Sequence, residues 1–91
     1  DDVWLSPARG RATVTVSIHE DVQRDETAYY RAAESVFRSY EGRPHWGKVH
    51  YLSTEDLAGD YDRWQDWWHV RDGVDPTGVL LNDALRELRA L

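Results

Sequence analysis

The sequence predicts an α+β fold, and three observations carry that prediction. Residues 13–19 alternate strictly between polar and apolar side chains, residues 45–52 read as a second strand, and residues 28–40 repeat apolar positions every four residues. In the first run Val14, Val16 and Ile18 share one face, and Thr13, Thr15, Ser17 and His19 share the other, the pattern of a strand with one buried side. Ahead of it Ser6-Pro7 and Gly10 interrupt the chain, so residues 1–10 are expected to enter as an extended stretch and a turn.

Asp25 is placed to cap a helix whose apolar stripe runs through Ala28/Tyr29, Ala32/Ala33, Val36/Phe37 and Tyr40. Glu41-Gly42-Arg43-Pro44 should end it, with Gly42 suited to the left-handed exit and Pro44 unable to continue the ladder. In the second strand Trp46, Lys48 and His50 would share one face and His45, Gly47, Val49 and Tyr51 the other. Ser53 with Asp56 resembles a capping box that opens helical turns carrying Leu57, Tyr61, Trp64, Trp67 and Trp68. Asp75-Pro76-Thr77-Gly78 is a turn, after which Asn82 caps a last helix with Leu85, Leu88 and Leu91 on one side. Two strands alone are marginal in water, so further strands are expected upstream of Asp1.

Composition narrows the function classes. The 91 residues are 41% hydrophobic and include five Trp and five Tyr, enough for one small core but not two. The chain opens on Asp1 and has no Met, which reads as a piece of a longer protein. Net charge is -6, and the 11 Lys and Arg lie scattered among 17 Asp and Glu, which argues against nucleic acid as a partner. No stretch approaches the ~20 apolar residues of a membrane span. Without cysteine there is no disulfide framework or thiolate chemistry, and a reducing cytoplasm is the expected compartment.

The densest chemistry lies in residues 43–50, where Arg43, His45, Trp46, Lys48 and His50 surround Gly47. Gly47 permits close approach of a flat ring or a backbone, and Lys48 supplies positive charge where a reaction builds negative charge. The plainer alternative makes Trp46 core, Lys48 a solvated edge charge and the histidines surface residues. His45 and His50 would project to opposite strand faces with no carboxylate at a ligand spacing, so no metal site is expected. Trp64, Trp67 and Trp68 could form a sugar-stacking platform, but helical spacing favours a core or an interface. Glu20-Asp21 and Asp25-Glu26 read as solvated acidic turns.

Three segments in order resemble one known family. Arg43-Pro44-His45-Trp46-Gly47-Lys48-Val49-His50 resembles the HWGK motif of the aldonolactone oxidase group in the vanillyl-alcohol oxidase flavoprotein superfamily, a group that includes alditol and xylitol oxidases. Residues 1–11 resemble the group's Asp-Asp-x-x-Leu-Ser-Pro-x-x-Gly-Arg segment, followed by a strand ending in His, here Ser17-Ile18-His19. Residues 70–82 resemble its closing Asp-Pro-x-x-x-Phe-x-Asn pattern, with Leu80 in place of Phe.

The resemblance implies the C-terminal substrate or cap domain of an FAD-dependent oxidoreductase, with residues 1–91 as one portion of it. The fold it implies is α+β, a partial antiparallel sheet with helices packed on one face. The implied activity is oxidation of a C–OH group in a sugar alcohol or aldonolactone, as in D-arabinono-1,4-lactone oxidase, L-gulonolactone oxidase or alditol oxidase. FAD would be bound mainly by a domain upstream, together with a Glu-x-Arg substrate pair, so this chain alone would be inactive. By the same resemblance Lys48 is catalytic and lies beside the flavin, while His45, Trp46 and His19 contact substrate. Asn82 would match a late cofactor-side asparagine, although a helix N-cap is an equal reading of it. Expected partners are the polyol or sugar-lactone substrate and the FAD domain of the same parent chain, with self-association of the isolated chain through the Trp group. The rival reading is a non-catalytic α+β binding or dimerisation module that uses the Trp group as its contact surface.

Overall fold

The expected antiparallel sheet is absent. The computed structural model describes residues 1–89, and among them there are four helices and no strand: α1 (Thr27–Ser39), α2 (Thr54–Asp60), α3 (Trp64–Val74) and α4 (Asp83–Arg89). An α+β fold with helices on one face of a sheet is therefore corrected to an all-helical arrangement with long irregular segments. The physical reason is that alternation sorts side chains by face but supplies no ladder partner. Residues 13–19 make no backbone–backbone hydrogen bonds with the described residues, and Val14 and Val16 are 84% and 61% exposed. Residues 45–52 fail differently. The Lys48 N–H bonds back to the His45 carbonyl at 2.9 Å, which closes a turn, and the Tyr51 N–H is taken by the Glu34 carboxylate at 2.9 Å.

Helix signals that depend on near neighbours are realised. Asp25 accepts the Thr27 N–H at 3.0 Å, just ahead of α1, although the N-cap position itself belongs to Glu26. At the other end Glu41, not Gly42, takes the left-handed conformation, with φ of 57°. The Glu41 N–H bonds to the Arg38 carbonyl at 3.0 Å and the Gly42 N–H to the Phe37 carbonyl at 2.8 Å, a Schellman closure. Gly42 is needed for a different reason: a Cβ there would lie 2.7 Å from the Phe37 carbonyl oxygen.

Ser53 and Asp56 form the expected capping box of α2, with reciprocal bonds of 3.1 and 2.9 Å. The helical run expected beyond it divides in two, because Tyr61 adopts an extended backbone (φ -127°, ψ 111°) and turns the chain between α2 and α3. Asp75 then organises the next turn. Its carboxylate accepts the Val79 and Leu80 N–H groups at 3.0 and 2.9 Å and pairs with Arg71, and Gly78 turns at φ of 70°. The Leu80 N–H above all holds the Asp75 carboxyl below the usual carboxylate range. Asn82 caps α4 by accepting the Leu85 N–H at 2.9 Å, and Leu91 lies outside the described residues.

The core sits between α2, α3 and α4. Leu57, Tyr61, Trp64 and Trp68 are buried with Leu81 and with Leu5 from the N-terminal turns, and Leu85 and Leu88 pack against them. Edge-to-face indole contacts extend this core outward, Trp64 to Trp68 at 5.9 Å, Trp68 to Trp67 at 4.9 Å and Trp67 to Trp46 at 5.9 Å. Residues 1–10 form hydrogen-bonded turns, Gly10 N–H to the Asp1 carbonyl among them, instead of an extended stretch. Arg9 ties these turns to Asp62 at 2.9 Å, and Arg43 donates to the Arg9 carbonyl at 3.0 Å while lying over the Tyr61 ring at 5.1 Å. No helix among the described residues is long and apolar enough to cross a membrane.

Candidate functional site

Helix α1 is strongly amphipathic, yet none of its residues is buried. One side of it, through Tyr30, Glu34, Phe37 and Arg38, and the open segment 11–19 form two walls of a groove of about 770 Å³, whose remaining wall comes from residues 42–45, 48–49 and 51–52. Tyr30, Glu34 and Phe37 face this groove from α1, His19 from the open segment, and His45 and Lys48 from the turn.

The turn that carries Lys48 is held from several sides. His45 folds its ring onto Gly47: its Nδ1 accepts the Gly47 N–H at 3.3 Å, and a Cβ on Gly47 would stand 3.3 Å from the ring. The flat ring that Gly47 admits is thus the neighbouring imidazole. With Nδ1 accepting, the ring proton of neutral His45 belongs on Nε2, which leaves a hydrogen-bond donor on that side chain. His50 bonds through Nε2 to the Trp46 carbonyl at 3.2 Å. Among the described residues the Lys48 ammonium has no ion pair. Two other groove charges are engaged: Arg38 pairs with Asp60 at 2.6 Å, a bond that raises its pKa further, and Glu34 holds the Tyr51 N–H.

Of the five residues singled out from sequence, three meet at the groove: His19, His45 and Lys48. Trp46 is not in its lining; the indole packs against the core through Trp67 and anchors the turn from beneath. Asn82 lies apart, as the cap of α4. Trp64 and Trp68, at 2% and 5% exposure, are core side chains of this chain, which removes the Trp group as an exposed contact surface. No cluster of three or more potential metal ligands occurs among the described residues. Sequence reasoning gave no role to Tyr30 and Glu34 and used Phe37 only in the helix stripe, although the i, i+4, i+7 spacing of the three is a legible signal that sets a carboxylate between two aromatic rings on one helix face.

The sequence model of the D-arabinono-1,4-lactone oxidase family matches residues 1–88. The chain belongs to this family. Among curated members and neighbours of the D-arabinono-1,4-lactone oxidase family, it is 41% identical over 88 residues to an L-gulono-1,4-lactone dehydrogenase of Mycobacterium tuberculosis, covering 97% of this chain and 21% of that protein. It is 35% identical over 91 residues to an alditol oxidase of a Streptomyces species and 32% identical over 94 residues to the L-gulonolactone oxidase of Mus musculus, with the same 97% and 21% coverage in each case. The chain therefore spans about a fifth of the length of these relatives. No solved structure gives a significant match.

Proposed function

We propose that this chain forms the substrate-facing wall of an FAD-dependent oxidoreductase that oxidises a C–OH group of a sugar alcohol or aldonolactone. The observation that carries this reading is a lysine that has no counter-ion among the described residues and shares one groove with two histidines, in a chain of the aldonolactone oxidase family. Its relatives bear names that span lactone dehydrogenases, lactone oxidases and an alditol oxidase, and the substrate class proposed here covers all of them.

The residues present suit one end of the cofactor. Lys48 and the His45 imidazole offer positive charge and an N–H donor, which fits the reacting ring and a substrate hydroxyl. Nothing in the chain resembles a glycine-rich phosphate cradle, since its six glycines are dispersed, so the dinucleotide part would be held by an FAD-binding domain of the same parent protein. FAD, when bound, supplies the two-electron acceptor. Lys48 would hold a fixed positive charge where negative charge accumulates during oxidation, an interaction stronger in the transition state than in the ground state. His45 would orient a substrate oxygen through its N–H, and His19 would close the opposite wall. Asn82, as a helix cap, would act on the cofactor side only through the position of α4. The chain alone would be inactive.

The test is Lys48→Met in the flavin-loaded protein that carries this sequence, a change that keeps the side-chain stem and removes the charge. Flavin reduction followed by stopped flow should slow by roughly 10²–10³-fold, the usual cost of one preorganised charge-stabilising donor. Flavin content and melting temperature should stay as in the parent. A rate within about twofold of the parent, the behaviour of an ordinary surface substitution, removes Lys48 from the site.

A further inference from the structure

We infer that His50 is a positioning residue for Lys48, acting through the Trp46 carbonyl. The inference rests on the reading that Lys48 faces the reacting group. Lys48 stands on a short turn whose backbone is closed by one bond, Lys48 N–H to the His45 carbonyl at 2.9 Å. Such a turn has few internal restraints, and a charge that must sit at a fixed place requires more. Two imidazoles supply them. His45 takes the Gly47 N–H from one side, and His50 reaches back over four residues to the Trp46 carbonyl at 3.2 Å.

A carbonyl oxygen can only accept, so this bond puts the His50 proton on Nε2 and leaves Nδ1 as a bare acceptor. That Nδ1 is buried and has no hydrogen-bond partner among the described residues. An unpaired buried acceptor is unfavourable, and an apolar side chain of similar shape would avoid the cost. Filling space therefore does not account for an imidazole here, whereas a donor aimed at Trp46 does. The Trp46 indole is itself fixed against Trp67, at 5.9 Å and 82° between planes, so the carbonyl that His50 grips is tied to the core. The chain of restraint runs from the Trp67–Trp68 pair through Trp46 and His50 to the peptide that presents Lys48 to the groove.

Two measurements test this. In the flavin-loaded protein that carries this sequence, hydrogen exchange of the Gly47 and Lys48 amides is followed by mass spectrometry at residue resolution for the parent, His50→Leu and His50→Gln, with α3 amides as the internal standard. His50→Leu should speed exchange of the Lys48 amide by about tenfold while the α3 amides hold, as expected for loss of a bond worth roughly tenfold in local opening. His50→Gln, which keeps a donor at the ε position, should restore protection. Unchanged Lys48 exchange in a folded His50→Leu chain overturns the inference. If His50→Leu unfolds the chain, the comparison passes to His50→Gln against His50→Asn, whose donor falls one bond short, and equal exchange in those two overturns it as well.

In the flavin-loaded protein, the rate of flavin reduction is measured for His50→Leu in the parent and in the Lys48→Met background. A slowing of about tenfold in the parent with substrate KM little changed, and of less than about twofold in the Lys48→Met background, is the expected coupling. Equal costs in both backgrounds overturn the positioning role and leave Lys48 in the site. If Lys48→Met alone leaves the rate unchanged, the reading of Lys48 itself fails, and the role assigned to His50 fails with it.

Discussion

Residues 53–89 and residues 11–50 obey different rules. The first region folds on itself: α2, α3 and α4 enclose Leu57, Tyr61, Trp64, Trp68 and Leu81, and its turns are held by a capping box at Ser53 and by the Asp75 carboxylate. The second contains a helix with no buried residue and a segment whose backbone bonds to no other, yet it supplies every groove residue named as a site candidate. The difference separates the part that supplies stability from the part that presents chemistry. The two are joined at few places, chiefly Trp46 on Trp67, Arg38 with Asp60 and Arg43 over Tyr61.

The largest effect should therefore come from the core. Trp68→Ala removes a buried indole that touches both Trp64 and Trp67, and should cost about 3–5 kcal/mol in urea denaturation. Because Trp67 also supports Trp46, the same variant should loosen the Lys48 turn. A loss below about 1 kcal/mol would mean that the α2–α3–α4 region is not the stabilising half.

The end of α1 gives a sharper and smaller pair of effects. Glu41 pays for a left-handed backbone that costs an L-residue about 1–2 kcal/mol, so Glu41→Gly should stabilise the chain by about 1 kcal/mol. Gly42→Ala should destabilise it by about 1–3 kcal/mol, since the new Cβ would press on the Phe37 carbonyl. Thermal melts of both variants check the pair. If neither moves the transition, α1 melts independently of the core despite the Arg38–Asp60 bridge.

Those neighbouring positions also illustrate what the sequence discloses. That a helix stops at residues 41–42 is legible, because Gly and Pro are local signals; which of the two residues turns left-handed is not, because it depends on the approach of Gly42 to a carbonyl five residues back. Helix α1, the Ser53 capping box and the Asn82 cap are legible for the same reason, each being decided within one turn of chain. The break between α2 and α3 is hidden. Leu57, Tyr61, Trp64 and Trp68 continue at spacings of four, three and four, so one apolar stripe runs across a corner made by the Tyr61 backbone. The strand expected at residues 13–19 rests on alternation and the one at residues 45–52 on a segment read by itself, both local signals, whereas a ladder is a property of two segments. As for the site, the cluster at residues 43–50 is visible as composition, but its union with His19 and with Glu34 of α1 is a tertiary fact.

The smallest expected effect is the one that tests the comparison most directly. Val14 and Val16, 84% and 61% exposed, form the apolar face of the segment that walls the groove opposite α1. Replacing both by Thr exchanges a methyl for a hydroxyl of the same shape, which is nearly neutral in water. In a packed interior the same exchange leaves an unpaired hydroxyl and costs about 1–3 kcal/mol at each site. If the segment is solvated as its exposure indicates, the double variant should unfold within about 0.5 kcal/mol of the parent in urea. A loss above about 2 kcal/mol would mean that residues 13–19 are packed in solution, against α1 or against a second copy of the chain. The groove would then be closed, His19 would no longer face the Lys48 turn across open space, and the division between a stabilising half and a presenting half would not hold.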